Sequence, residues 1–190
     1  MVEKNTRDEE EKYFQAESAE KKEKIRRRRQ LEAVRQKERE GIAAALNTNE
    51  ECAEEALSLG FDAETARLLP LVPLIQVAWA DGKVTEAQLS EVEERAEKYG
   101  IKEGSPAHQF LVMLLEERPT DFFFARVSKL ISHIVEEDPA GDISTNVLGW
   151  SKAVAEASGG FFGLTNPISK NEQKVLDEFA ELFGVKSTRG

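Results

Sequence analysis

The feature that most constrains this chain is a stretch that occurs twice. Val77–Ile101, VAWADGKVTEAQLSEVEERAEKYGI, has a counterpart in Val154–Val185 that carries one insertion. Laid together, Val84 falls on Ile168, Thr85 on Ser169, Gln88 on Glu172, Val92 on Leu176, Ala96 on Ala180, Tyr99 on Phe183, Gly100 on Gly184 and Ile101 on Val185. Each copy opens with a hydroxyl suited to accept from the unsatisfied backbone N–H groups of a first helical turn. Gln88 or Glu172, three residues on, can bond back to the cap. Each copy stops at a glycine able to take the left-handed conformation past a helix end. Upstream, Val77-Ala78-Trp79-Ala80-Asp81-Gly82 matches Val154-Ala155-Glu156-Ala157-Ser158-Gly159, and the second copy inserts FFGLTNP before its helix. The pattern predicts a duplicated helix-turn-helix motif: two hairpins around a pseudo-twofold core, not a solenoid, which needs about three or more repeats.

The ADGKV turn with its capped helix, the echo at ISKNE and the LGF…LLPLVPLIQVAWADG run before them resemble the TerB-like family, the helical module first named for tellurite resistance. The resemblance covers roughly Asn47 to Val185. It implies an all-α domain of the kind found in bacterial stress-resistance and phage-defence systems and in some membrane-anchored co-chaperones, and it implies no particular reaction.

Charge is divided unevenly along the chain. Residues 1–40 hold 13 Lys and Arg against 11 Asp and Glu, whereas the remaining 150 hold 13 against 25, so an acidic body follows a weakly basic arm. The arm lacks proline and glycine from Arg7 to Glu40 and is built from Glu, Lys, Arg, Gln and Ala, all strong helix formers. Its apolar residues and the first beyond it (Tyr13, Phe14, Ile25, Leu31, Val34 and Ile42) make a stripe too thin for a core. Two readings stand: a solvated, partly frayed helix, or an arm that becomes ordered against a partner with Tyr13 and Phe14 as anchors.

Glu9-Glu10-Glu11-Lys12-Tyr13-Phe14-Gln15-Ala16, followed by Ser18 and Glu20, resembles the inhibitory segment of the mitochondrial F1-ATPase inhibitor family. That family has an acidic triplet, a base, Tyr-Phe and then a charged helix. The resemblance implies a segment that folds as a helix into a catalytic interface of the ATPase and blocks rotation. The family's histidine-rich continuation is replaced here by Arg26-Arg27-Arg28-Arg29, and its coiled coil by a globular domain. The arginine run could meet phosphate, but acidic residues flank it and stacking aromatics are missing beside it, so a protein partner is the favoured reading over nucleic acid.

Further along, residues 41–47 read as a linker, with Thr48 and Glu51 as a capping box and Gly60 as the stop of the helix that follows. Leu68, Leu69, Leu71, Val72, Leu74, Ile75 and Val77 predict a central buried helix, with Pro70 opening a new helix or Pro70 and Pro73 kinking it. Gly104-Ser105-Pro106 caps a helix that turns Phe110, Leu111, Met113, Leu114 and Leu115 inward. Thr120 to about Glu137 is the next helix, carrying Phe122, Phe123, Phe124, Val127, Leu130, Ile131, Ile134 and Val135. Asp138-Pro139-Ala140-Gly141 ends it, and Ile143–Ala157 leads into the second motif copy. No stretch alternates long enough for a strand. The expected architecture is an all-α domain of about seven helices over 48–187, a linker at 41–47, and a long charged helical arm over 1–40.

Chemistry-bearing patterns are sparse. His108 and His133 lack ligand-spaced partners, and no nucleophile elbow, zinc-protease, Walker or dinucleotide fingerprint is present. Asp81-Gly82-x-Val84 imitates the middle of a calcium loop, yet calcium takes about six to eight oxygen ligands and this loop offers one carboxylate. Asp81 reads mainly as a turn and cap residue, with a weak divalent site shared with Glu86 as the alternative. Phe161 and Phe162 either tuck into the core or form a patch for a partner. Cys52 reads as a small buried helix residue. No apolar run approaches the roughly 18 residues of a membrane span, and one cysteine suits a reducing, cytoplasmic compartment.

The expected function is non-catalytic regulation without a cofactor. The N-terminal helix docks onto a protein partner, an F-type ATP synthase catalytic head being the first candidate. Glu9, Glu10, Glu11, Tyr13 and Phe14 would bind, with Arg26, Arg27, Arg28 and Arg29 alongside. The alternative is a stress-response scaffold with a weak divalent site and an acidic partner-binding surface.

Overall fold

The computed structural model describes the backbone of residues 2–136, 142–157 and 168–184, and the side chains of residues 17–136, 146–157 and 168–184. Asp138-Pro139-Ala140-Gly141, Phe161 and Phe162, and Val185 lie outside the described residues. All regular structure among the described residues is helical, as the periodicity requires: α1 (Val2–Leu46), α2 (Glu50–Ser58), a 3-10 helix (Ala66–Leu71), α3 (Val72–Ala78), α4 (Glu86–Lys98), α5 (Pro106–Glu116), α6 (Asp121–Glu136), α7 (Asp142–Ala157) and α8 (Lys170–Leu182). The chain forms two compact units, Met1–Glu38 and Arg39–Gly190.

The first unit is helix alone. Straight-chain residues lose little rotamer freedom in a helix, and the i,i+4 pairs Glu17–Lys21 (2.6 Å) and Glu23–Arg27 (2.7 Å) add a few tenths of a kcal/mol each. Residues 18–35 are exposed throughout, including Ile25, Leu31 and Val34.

The second unit opens with the last turns of α1, which corrects the expected linker at 41–47. Ile42 is fully buried and Leu46 nearly so, and the alanines between them favour continued helix. Burial of the two apolar side chains outweighs the roughly 1 kcal/mol that Gly41 costs a helix. Gly41 is there for contact: a Cβ added to it would lie 2.4 Å from the Ala63 Cβ. The helix stops instead at Asn47, in the left-handed region at φ 51°. Because it stops there, the next cap is Asn49, whose side chain accepts from Cys52 N at 2.8 Å, in place of the expected Thr48–Glu51 box. Arg39 then ties this end of α1 to α2 through Glu54 (3.0 Å) and Glu50 (3.6 Å).

The 3-10 helix and α3 together are the predicted central segment. Leu68, Leu69, Leu71, Val72, Leu74, Ile75, Val77 and Ala78 are all at most 1% exposed, and α3 packs against α4, α6, α7 and α8. Pro70 lies inside the 3-10 turn and Pro73 in the first turn of α3, where a missing N–H costs nothing. Trp79, capping α3, donates its indole N–H to the Leu114 carbonyl at 3.0 Å and so satisfies a free acceptor in the last turn of α5.

Three consecutive phenylalanines cannot all face one core, since successive helical positions turn by about 100°. Phe124 is buried and Phe123 stacks on the buried Phe61 at 6.3 Å, but Phe122 is 71% exposed. Met113, expected inward, is 51% exposed on α5. Gly41→Ala tests the close approach at the head of this unit. Helix propensity gains about 1 kcal/mol, overpacking against Ala63 costs about 1–3, and a lowered melting temperature is expected. Adding Ala63→Gly should recover most of the loss.

Candidate functional site

Two helix starts meet in the core of the globular unit. At α4, the Thr85 hydroxyl accepts from Gln88 N (3.3 Å) while Gln88 Oε1 accepts from Thr85 N (3.0 Å). At α8, the Ser169 hydroxyl accepts from Glu172 N (3.1 Å) and Glu172 Oε2 from Ser169 N (2.7 Å). Each is a complete capping box, as the repeated spacing predicts. The boxes are joined: Gln88 Nε2 donates to Glu172 Oε1 at 2.9 Å, with Gln88 3% and Glu172 0% exposed.

The physical logic of this junction is electrostatic. A carboxylate with no solvent contact is costly unless its oxygens are hydrogen-bonded, and here each oxygen has a donor. The start of α8 also carries the positive end of its helix dipole, which favours an acid there. Gln88 is suited to the opposing position because an amide offers both an acceptor for its own cap and a donor for the neighbour's. The residue difference between the two aligned sequences, Gln against Glu, is therefore what lets them pair.

A second contact reinforces the first. Asn171 Nδ2 donates to Asp81 Oδ1 at 2.9 Å, tying the first turn of α8 to the Ala80-Asp81-Gly82 turn. Asp81 thus accepts from a helix 90 positions away in the chain. Glu86 is exposed in the first turn of α4, and no group of three or more His, Cys, Asp or Glu side chains among the described residues has metal-binding geometry.

The expected partner-binding residues divide. The side chains of Glu9, Glu10, Glu11, Tyr13 and Phe14 lie outside the described residues, within a backbone that is helical. Arg26, Arg27, Arg28 and Arg29 are all exposed, but consecutive residues point to different sides of a helix, so they form no single patch. The face that does form holds Lys22, Arg26 and Arg29 with Ile25, Gln30 and Ala33 around a shallow depression of about 430 Å3. Counting arginines in a row hides this face; reading them at helical spacing with Lys22 reveals it.

Other surfaces went unforeseen. A groove of about 580 Å3 runs between α6 and α8 over Gln76 of α3, with Arg118 and Lys174 at its rims and Val175, Phe179 and Leu182 along one wall. Exposed Phe122 lies 5.7 Å from the Arg126 guanidinium, which Glu55 and Ser58 hold by hydrogen bonds of 2.5–2.9 Å. His133 is exposed beside Glu51, Cys52 and Glu136, and Cys52 itself is buried as expected.

Tyr99, at the end of α4, packs edge-on against Trp150 at 5.5 Å, and burial pushes its phenol above the usual 10.0, with Arg67 opposing. The protonated phenol thus stabilises the fold fully below pH about 10, and stability falls as pH rises through the higher folded value. Tyr99→Phe should flatten that alkaline limb in melting curves taken across the range. At the junction, Gln88→Ala and Glu172→Ala should each cost about 2–4 kcal/mol in denaturant unfolding by stranding the other's buried polar atoms. The double variant should lose less than the sum, by about 1 kcal/mol or more.

Comparison of this chain with protein-family models, with curated proteins and with solved structures found no match.

Proposed function

We propose that this chain is a non-catalytic, cytosolic regulatory protein: a TerB-like helical domain that displays a charged helical arm for docking onto another protein. The observation that carries the reading is the exposure of residues 18–35 along a helix with too few apolar residues to pack by itself. Helices in proteins draw most of their stability from packing, so an ordered, wholly solvated one is suited to a partner. The TerB-like assignment draws support from the all-α architecture and from the two capped helices that meet at Gln88 and Glu172.

The first candidate partner, by resemblance of Glu9-Glu10-Glu11-Lys12-Tyr13-Phe14, is the catalytic head of an F-type ATP synthase. Tyr13 and Phe14 would supply buried anchors, with Glu9 to Glu11 and Arg26 to Arg29 contacting the rim. The alternative, a stress-response scaffold acting through its acidic body, has in its favour the excess of acids over bases in residues 41–190, 25 against 13.

The two readings separate in one assay. Added to purified F-type ATPase, the full chain should inhibit ATP hydrolysis, and Tyr13→Ala with Phe14→Ala should weaken inhibition by about 100-fold or more while leaving the melting temperature unchanged. Full activity at saturating protein would remove the ATPase from consideration. Retention of partners from lysate by residues 41–190 alone would move the function to the acidic body.

A further inference from the structure

Lys22, Arg26 and Arg29 stand at i, i+4 and i+7 along α1, are all exposed, and fall within about 60° of one another around its axis. From Ser18 to Lys37 the acidic residues Glu20, Glu23 and Glu32 leave a sector of about 180° without a carboxylate, and the three cations lie inside it. Lys21 and Arg27 lie outside the sector and are held by Glu17 and Glu23 at 2.6 and 2.7 Å. The residues four before and four after each of the three cations are Ser18, Ile25, Gln30, Ala33 or another of the three, so no i,i+4 pair neutralises them. The depression on this face divides into two overlapping sets at i, i+3, i+4 and i+7: Lys22, Ile25, Arg26 and Arg29, then Arg26, Arg29, Gln30 and Ala33. Each set is the four-residue hole into which a facing helix inserts a side chain.

We propose that this face receives an acidic amphipathic helix of a partner protein, which sets apolar side chains into the two holes and carboxylates against Lys22, Arg26 and Arg29. The proposal rests on the reading of α1 as a docking arm and supplies the chemistry of what the arm meets. Charge complementarity selects an acidic occupant. Ile25 and Ala33 among the cations select a helix with apolar residues at three- and four-residue spacing. Exposed ion pairs are individually weak, so the face fixes the register of the partner and speeds encounter, leaving most of the affinity to apolar anchors. Other occupants fit less well. A nucleic-acid groove walls a helix on both sides, and those walls would meet Glu23 and Glu32 at the edges of the sector. A membrane surface wants one broad apolar face, whereas Leu31 and Val34 lie about 100° or more around the helix from Ile25 and Ala33.

The test is fluorescence anisotropy of a labelled helical peptide, with glutamates flanking a leucine and alanine seam at heptad spacing, titrated with the full chain at low and high salt. Binding that weakens as salt rises is expected, since exposed charges are screened within about 10 Å at 0.1 M. Arg26→Glu with Arg29→Glu should weaken binding by about 10-fold or more. Arg27→Glu with Arg28→Glu changes the net charge equally on other sides of the helix and should weaken it by less than about 2-fold. Ala33→Gln, which fills the second hole without altering charge, should weaken it by about 3-fold or more. Melting temperatures should stay unchanged, because residues 18–35 are exposed. Tyr13→Ala with Phe14→Ala should leave peptide binding intact, so failure of the ATPase assay and failure here are distinct. No binding at low salt, equal losses for the two arginine pairs, no loss on Ala33→Gln, or tighter binding to duplex RNA or to phosphatidylserine vesicles than to the peptide would each overturn the proposal.

Discussion

The globular unit depends on one buried hydrogen bond, from Gln88 Nε2 to Glu172 Oε1. Apolar packing around it is tolerant, because aliphatic side chains accept several arrangements at similar energy. A buried carboxylate is not tolerant: it demands donors at fixed places, and only one register of α4 against α8 supplies them. The bond thereby converts two locally satisfied caps into a long-range constraint between residues 84 positions apart. Asn171 and Asp81 repeat the constraint at the surface, and α3 and α7, which pack on both capped helices, inherit their positions from it.

Around that junction the remaining contacts are of ordinary kinds. Aromatic rings close the side of the unit where Phe61 meets Phe110 at 5.3 Å, and Trp79 closes the end of α5. Exposed ion pairs such as Arg118–Asp121 contribute little by comparison, because solvent screens them and ordering two long side chains costs entropy. The pairs that bridge separate elements, Arg39 with Glu54 and Arg126 with Glu55, matter more for orientation than for energy.

The first unit obeys different physics. Residues 18–35 of its helix are exposed, so composition, i,i+4 pairing and the order of charges along the chain decide its behaviour. An acidic segment followed by a basic one gives the arm a direction, and direction is what a recognition element needs.

By itself the sequence determined the all-α class, the two capping boxes, the glycine stops at Gly60, Gly100 and Gly184, the buried 68–77 segment and the charged arm. Each of these is local: a hydroxyl three residues from an amide or carboxylate, a glycine at positive φ, or an unbroken apolar run carries its own energy wherever it lies. Tertiary structure decided the rest. That residues 41–46 are helix and not linker follows from where Ile42 and Leu46 find a core and from Ala63 lying against Gly41. That Phe122 faces water, while Phe123 is half-buried and Phe124 buried, depends on which side of α6 meets the second unit's core. That Gln88 and Glu172 touch at all depends on the path of the chain between them, and pairing at such a distance leaves no mark in either segment alone.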